Sequence, residues 1–286
     1  IGISNIAPQG VVPDSVIYSF YIGAAILILC VIYTTVKVKE MPPAEYAEYH
    51  GITEEEKKEK INMVKLLVKA PKAFWTVGLV QFFCWFAFMF MWTYTNGSVA
   101  ANVFDAPTVE TVVNGANKVV LDTKSIQYQN AADWVGVLFA VQAIGSVLWA
   151  VCIPMFKNRK LIYSLSLVLG GIGFISTYFV HNQYVLFISF LLIGCAWAAM
   201  LALPFTILTN ALSGGHMGTY LGLFNGTICI PQIVAATLGG SILALFTPKG
   251  MLPPEINMLV MAGVMLIIGA VCVYLIKETK GEQAKA

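Results

Sequence analysis

Arginine is almost missing from this chain: Arg159 is the single example in 286 residues, and the formal net charge is only +2. No arginine-rich face can form to neutralise a phosphate backbone, so nucleic acid is excluded as a partner. Charge of either sign is scarce. Asp, Glu, Lys and Arg make up 11% of residues, where a soluble domain carries about 25%. The six cysteines, Cys30, Cys84, Cys152, Cys195, Cys229 and Cys272, lie in apolar runs and form no CxxC pair. That argues against a disulfide framework or zinc site and for small, polarisable packing groups. A Ser/His/Asp set, an HExxH and a P-loop are absent too, so the parts of an enzyme are lacking and no metal or cofactor is expected. His50, His181 and His216 fall in connections, where solvated side chains need no special role. The start has no basic n-region with a small-residue cleavage site. Its first residue, Ile1, is read as the sign of a fragment.

What fills the chain instead is apolar: 58% of residues are hydrophobic and the mean hydropathy is +0.77. A membrane-spanning helix needs about 20 mostly apolar residues. Seven stretches qualify: Ser15–Val36, Ala73–Phe104, Ala131–Phe156, Leu161–Val180, Tyr184–Leu212, Met217–Phe246 and Ile256–Ile276. They are called spans one to seven below. The expected fold is an all-α membrane protein of seven transmembrane helices. Of the Lys and Arg residues, fourteen fall on one side of these spans and three (Lys118, Lys124, Lys249) on the other. The richer side belongs in the cytoplasm, which puts the N-terminus outside and the C-terminus inside.

The organisation follows: residues 1–36 as outer loop and first span, 37–72 as a cytoplasmic loop, 73–276 as a six-helix bundle, and 277–286 as a cytoplasmic tail. Within the loop, TEEEKKEKINMVKLLVKA reads as a helix at the membrane surface. Thr53 and Glu56 form its capping box, Ile61, Val64 and Val68 share one face, and Lys60, Lys65, Lys69 and Lys72 surround that face. Residues 105–130 form an outer loop in which Asn114-Gly115 signals a hairpin.

The stretch QFFCWFAFMFMWTYTN (81–96) places polar groups at bilayer depth. Gln81, Trp85, Phe88, Trp92 and Asn96 fall within a sector of roughly 80°, with Tyr94 pointing the opposite way. Lipid offers these amides no partner, so they face either a solute passage or another helix. In span six, Gly218, Gly222, Asn225, Cys229 and Gln232 also share a sector, and the glycines are expected to allow close helix contact. Pro231 there and Pro204 in span five each remove a helical hydrogen bond and should bend their helices. Span three puts Gln142, Ser146 and Trp149 on one face. Asp133, near its outer boundary, either caps the helix start or serves solute or cation binding. No Asp, Glu, Lys, Arg or His lies near the middle of any span, so the usual device for ion coupling is not in this chain.

WVGVLFAV (134–141), LALPFTILTNAL (201–212), MGTYLGLFNGTICIPQIVAA (217–236) and VQFFCWFAFMFMWTYT (80–95) together resemble the sugar:cation symporters of the major facilitator superfamily. The nearest likeness is to the glycoside–pentoside–hexuronide group and the bacterial relatives of plant sucrose transporters. The resemblance covers residues 73–276 and implies a partial major facilitator fold, with the chain as helices six to twelve of twelve. Helices one to five, with the family's proton-linked acidic residue, would then be missing partners. It further implies uptake of a disaccharide such as sucrose or maltose with a proton, by alternating access in the cell membrane. The substrate-binding candidates are Gln81, Trp85, Trp92, Asn96, Gln142, Asn225 and Gln232, and Asp133 is the cation candidate. KNRK (157–160) resembles a weakened basic loop motif, giving Lys157, Arg159 and Lys160 a gating role. Where relatives carry an aromatic and an asparagine after WVGVLFAV, this chain has Gln142 and Ala143, which changes stacking on a pyranose ring. The competing readings are a seven-helix receptor, which the lack of an outer-loop cysteine and of a lysine in span seven opposes, and a non-transporting scaffold or half-protein.

Overall fold

Seven helices among the described residues are long and apolar enough to cross a membrane, and each falls on one of the seven apolar runs. The computed structural model describes residues 14–39, 42, 45, 48–49, 63–113, 116–212 and 217–276. Outside them lie Thr53 with Glu56, Lys60, Ile61, the Asn114-Gly115 turn, His50, His216 and the tail lysines. The chain divides into two units, Ile1–Glu59 and Lys60–Ala286.

In the first unit, α1 (Asp14–Lys37) has Asp14 at its start and Lys37 at its end, matching the signs its dipole favours. Three of its hydroxyls are satisfied within the helix: Ser19, Thr34 and Thr35 each donate to the carbonyl four residues back, at 2.7, 2.9 and 2.9 Å. A helix that pairs its own polar groups can face lipid on all sides.

The second unit begins with the short α2 (Met63–Lys69), followed by α3 (Lys72–Asn102). Strands β1 (Thr108–Val113) and β2 (Ala116–Leu121) pair antiparallel, with Thr108 opposite Leu121. Then come α4 (Ile126–Cys152), α5 (Arg159–Ser176), α6 (Leu186–Ala211), α7 (Met217–Phe224), α8 (Gly226–Phe246) and α9 (Ile256–Cys272). Helix α3 is central and packs against α4, α6, α8 and α9, while α5 packs against α6 and α9. Helix α2 lies within the described part of the TEEEKKEKINMVKLLVKA run; Val64 and Val68 are exposed on it, and the Leu66 carbonyl accepts from Tyr220 Oη of α7 at 3.2 Å.

Lipid tails are as apolar as leucine, so helices in a bilayer are held by close packing and interhelical hydrogen bonds. Both are present. A Cβ on Gly194 of α6 would come 2.7 Å from the Ser146 nitrogen of α4, and one on Gly145 would come 2.7 Å from the Leu191 carbonyl. Ser164 Oγ of α5 donates to the Ala270 carbonyl of α9 at 3.0 Å, and Trp149 Nε1 of α4 donates to Ser166 Oγ at 2.8 Å.

Three expectations need correction. Gly218 and Gly222 have nothing within 4 Å of where a Cβ would stand, so the tight crossings belong to the glycines of α4, α5, α6 and α9 instead. Helix α4 starts at Ile126, capped by Ser125, whose Oγ accepts from Tyr128 N at 3.3 Å. Asp133 therefore sits in the third turn, exposed, and is not the cap. The interruption in span six falls at Asn225, ahead of Pro231. The Asn225 N–H is shared between the Leu221 and Gly222 carbonyls at 3.3 and 3.2 Å, a tightened turn that ends α7 and restarts the chain as α8.

A candidate solute-facing wall

The polar and aromatic stripe of α3 faces α6. Gln81 is fully buried, and its Nε2 donates to the Met200 carbonyl at 3.1 Å. Met200 lies four residues before Pro204, the position whose N–H would ordinarily take that carbonyl. Gln81 therefore replaces a bond that proline deletes. Its Oε1 has no partner.

One turn on, the indoles gather. Trp85 and Trp92 of α3 each meet Trp197 of α6 edge to face, with ring centroids 5.9 Å apart, and the Phe88 ring lies 4.9 Å from Trp197. Trp85 is 8% exposed with its Nε1 unpartnered, whereas Trp92 is 43% exposed. The stripe thus runs from a buried end at Gln81 to an open end at Trp92. Asn96, half-buried, donates from Nδ2 to Tyr128 Oη of α4 at 2.8 Å and leaves a buried Oδ1 without a partner. Three of the buried side-chain atoms lacking a hydrogen bond, Gln81 Oε1, Trp85 Nε1 and Asn96 Oδ1, lie along this one face.

The other candidates are dispersed. Gln142 is buried where α4 crosses α6, beside Gly194. Asn225 is exposed at the α7–α8 break, and Gln232 is half-buried on α8. Among the described residues no hydrogen bond or ring contact joins Gln142, Asn225 or Gln232 to the tryptophan group. Asn158 caps α5 through Oδ1, accepting from Leu161 N at 3.0 Å. Of the basic residues around it, Lys157 is exposed and Arg159 and Lys160 are half-buried. No group of three or more His, Cys, Asp or Glu among the described residues could hold a metal ion.

Sequence reasoning missed two residues. Trp197 is a lone indole among small residues, GCAWAAM (194–200), and that isolation was its only signal. Glu255 stands one residue before α9, and burial pushes its carboxyl from 4.5 up to about 7. It reads from sequence as part of a connection.

No curated protein matches the chain. The model of one family, the Major Facilitator Superfamily, matches residues 99–286, more than half the chain. Members of that family are membrane transporters, not enzymes. Seven spanning helices and the family match agree, and the chain belongs to the Major Facilitator Superfamily.

Proposed function

We propose that this chain works in a sugar permease that takes up a disaccharide such as sucrose or maltose together with a proton, in the cell membrane. The observation that carries the reading is the α3 stripe: Trp92 is 43% exposed against Trp197, next to a face that holds unpaired polar atoms of Gln81, Trp85 and Asn96. A buried polar atom without a partner costs about 1–3 kcal/mol. A polyhydroxylated ligand can supply that partner, and indole faces suit the apolar faces of a pyranose ring. Trp85 and Trp92 stack on the sugar, while Gln81, Asn96, Gln142, Asn225 and Gln232 bond its hydroxyls. Asp133 is the cation candidate.

In alternating access two bundles rock around a shared central site. Residues 73–276 supply one wall of it, and further helices supply the other. Residues 37–72 link the halves in the cytoplasm. Lys157, Arg159 and Lys160 gate that side.

Uptake of labelled sucrose and maltose by cells expressing the protein tests the reading. Trp92→Ala and Asn225→Ala lower uptake at least about tenfold at equal surface expression, and an uncoupler that collapses the proton gradient abolishes accumulation. If both variants transport like wild type, the stripe is packing and the sugar reading fails.

A further inference from the structure

Glu255 ends the connection between α8 and α9 and occupies the N-cap of α9. A carboxylate there ordinarily accepts from a free N–H of the first turn and meets the positive end of the helix dipole. Glu255 makes no such bond: its backbone is already helical, with φ −59° and ψ −24°, and its side chain does not cap the first turn. It is turned instead onto α3, where it fills the space left over Gly97. A Cβ on Gly97 would lie 2.8 Å from Oε1 and closer still to Oε2. The carboxyl has no hydrogen bond or ion pair with any described residue.

Its surroundings offer no counter-charge. On α3 the titratable neighbour is Tyr94. Helices α8 and α9 carry no charged side chain. In the connections at this end of the bundle, Lys249, Asp105 and His181 are all exposed. Glu255 is half-buried, and a carboxylate drawn partly out of water without a partner is disfavoured in its charged form. Taking up a proton favours the seat over Gly97, and losing it favours a more solvated position.

We propose that Glu255 is a proton-binding site that fastens the hairpin end of the bundle: the neutral carboxyl stays seated over Gly97, and the carboxylate swings out. The ligand is a single proton, taken from water at that end and held as an O–H bond on the carboxyl. Seated, the side chain joins the end of α3 to the start of α9. Released, it leaves a gap beside a glycine, and the two helices lose that contact. The inference requires nothing about the substrate and stands apart from the sugar reading. Burial raises the group from 4.5 to about 7. The seated form therefore contributes fully below about pH 4.5, and its contribution is lost as pH rises through about 7.

The test is pH-difference infrared spectroscopy on the full chain in nanodiscs, with melting temperature followed in parallel. In wild type, a protonated-carboxyl band titrates near neutral pH, and Glu255→Gln removes it. In Gly97→Ala the new methyl evicts the carboxyl, and the band's midpoint returns to the ordinary carboxylate range. The wild-type melting temperature falls between about pH 5 and pH 8, and Glu255→Gln shows a flatter profile. A wild-type midpoint in the ordinary range overturns the proposal, as does a midpoint that Gly97→Ala leaves in place. If Gly97→Ala does not fold, the wild-type band and the Glu255→Gln comparison decide the matter by themselves.

Discussion

Gln81 Nε2 donates to the Met200 carbonyl at 3.1 Å, across the seam between α3 and α6. Proline at 204 has no N–H, so this carbonyl lacks its helical donor. Replacing Gln81 by leucine leaves it buried and unpaired, at a cost of about 1–3 kcal/mol. In a Pro204→Ala background the new N–H at 204 takes the carbonyl over, and the cost of Gln81→Leu shrinks. A double-mutant cycle on thermal unfolding in detergent is expected to show a coupling of about 1 kcal/mol. Strictly additive costs would mean the glutamine does not compensate for the proline.

Glycines of the same chain should respond in opposite ways. A Cβ on Gly194 meets the backbone of α4, at 2.7 Å from the Ser146 nitrogen, and backbone cannot move aside as a flexible side chain can. Gly194→Ala is expected to destabilise by about 1–3 kcal/mol through overpacking. Gly222 has open space around it and sits inside α7. There Gly222→Ala gains about 0.4–1 kcal/mol from lost unfolded-state freedom. Melting temperatures of the two variants check the contrast. Equal losses at both positions would contradict the packing described here.

These two cases show what the sequence could and could not reveal. The seven spans were legible because bilayer thickness demands long apolar runs, and the hairpin because Asn114-Gly115 separates two β-prone segments. The stripe from Gln81 to Asn96 was legible as a face through helical periodicity. Its partner was not, because periodicity within α3 carries no information about which helix packs there. Pro204 announced a free carbonyl, but only the fold shows that Gln81 reaches it. The glycines of span six were misjudged for a related reason: close spacing permits tight packing without requiring a neighbour. Trp197 went unseen because its own helix offered no polar pattern to place it. Glu255 went unseen because burial at a span's edge is a tertiary property.

Trp149 Nε1 of α4 donates to Ser166 Oγ of α5 at 2.8 Å, and the serine in turn donates to the Ile162 carbonyl at 2.6 Å. Ser166 therefore acts as donor and acceptor together. Ser166→Ala removes both bonds at a buried position, but the Ile162 carbonyl keeps its helical donor. The net loss is that of one interhelical bond, about 0.6 kcal/mol by the average found in membrane bundles. Trp149→Phe in the alanine background should cost nothing further from hydrogen bonding. An unfolding cycle over the two positions measures this directly, and a coupling near zero would show that the indole bond adds no stability.

Trp85 separates the packing role of the α3 stripe from a ligand-binding one. Its ring is 8% exposed and lies 5.9 Å from that of Trp197, while its Nε1 has no partner. Phenylalanine at this position keeps an aromatic body against α6 and deletes an unpaired donor. Deleting a buried donor that has no partner removes a desolvation cost, which offsets the smaller ring. Stability should accordingly change by less than about 1 kcal/mol. If the indole N–H is a hydrogen-bond donor to a sugar hydroxyl, that bond is lost in transport, at about 0.5–1.5 kcal/mol, or roughly two- to twelvefold in uptake efficiency. The expected outcome is therefore a split, with an unchanged melting temperature and reduced sugar uptake. A variant that loses stability and uptake together would mark Trp85 as a packing residue, and one that loses neither would leave its N–H outside the site.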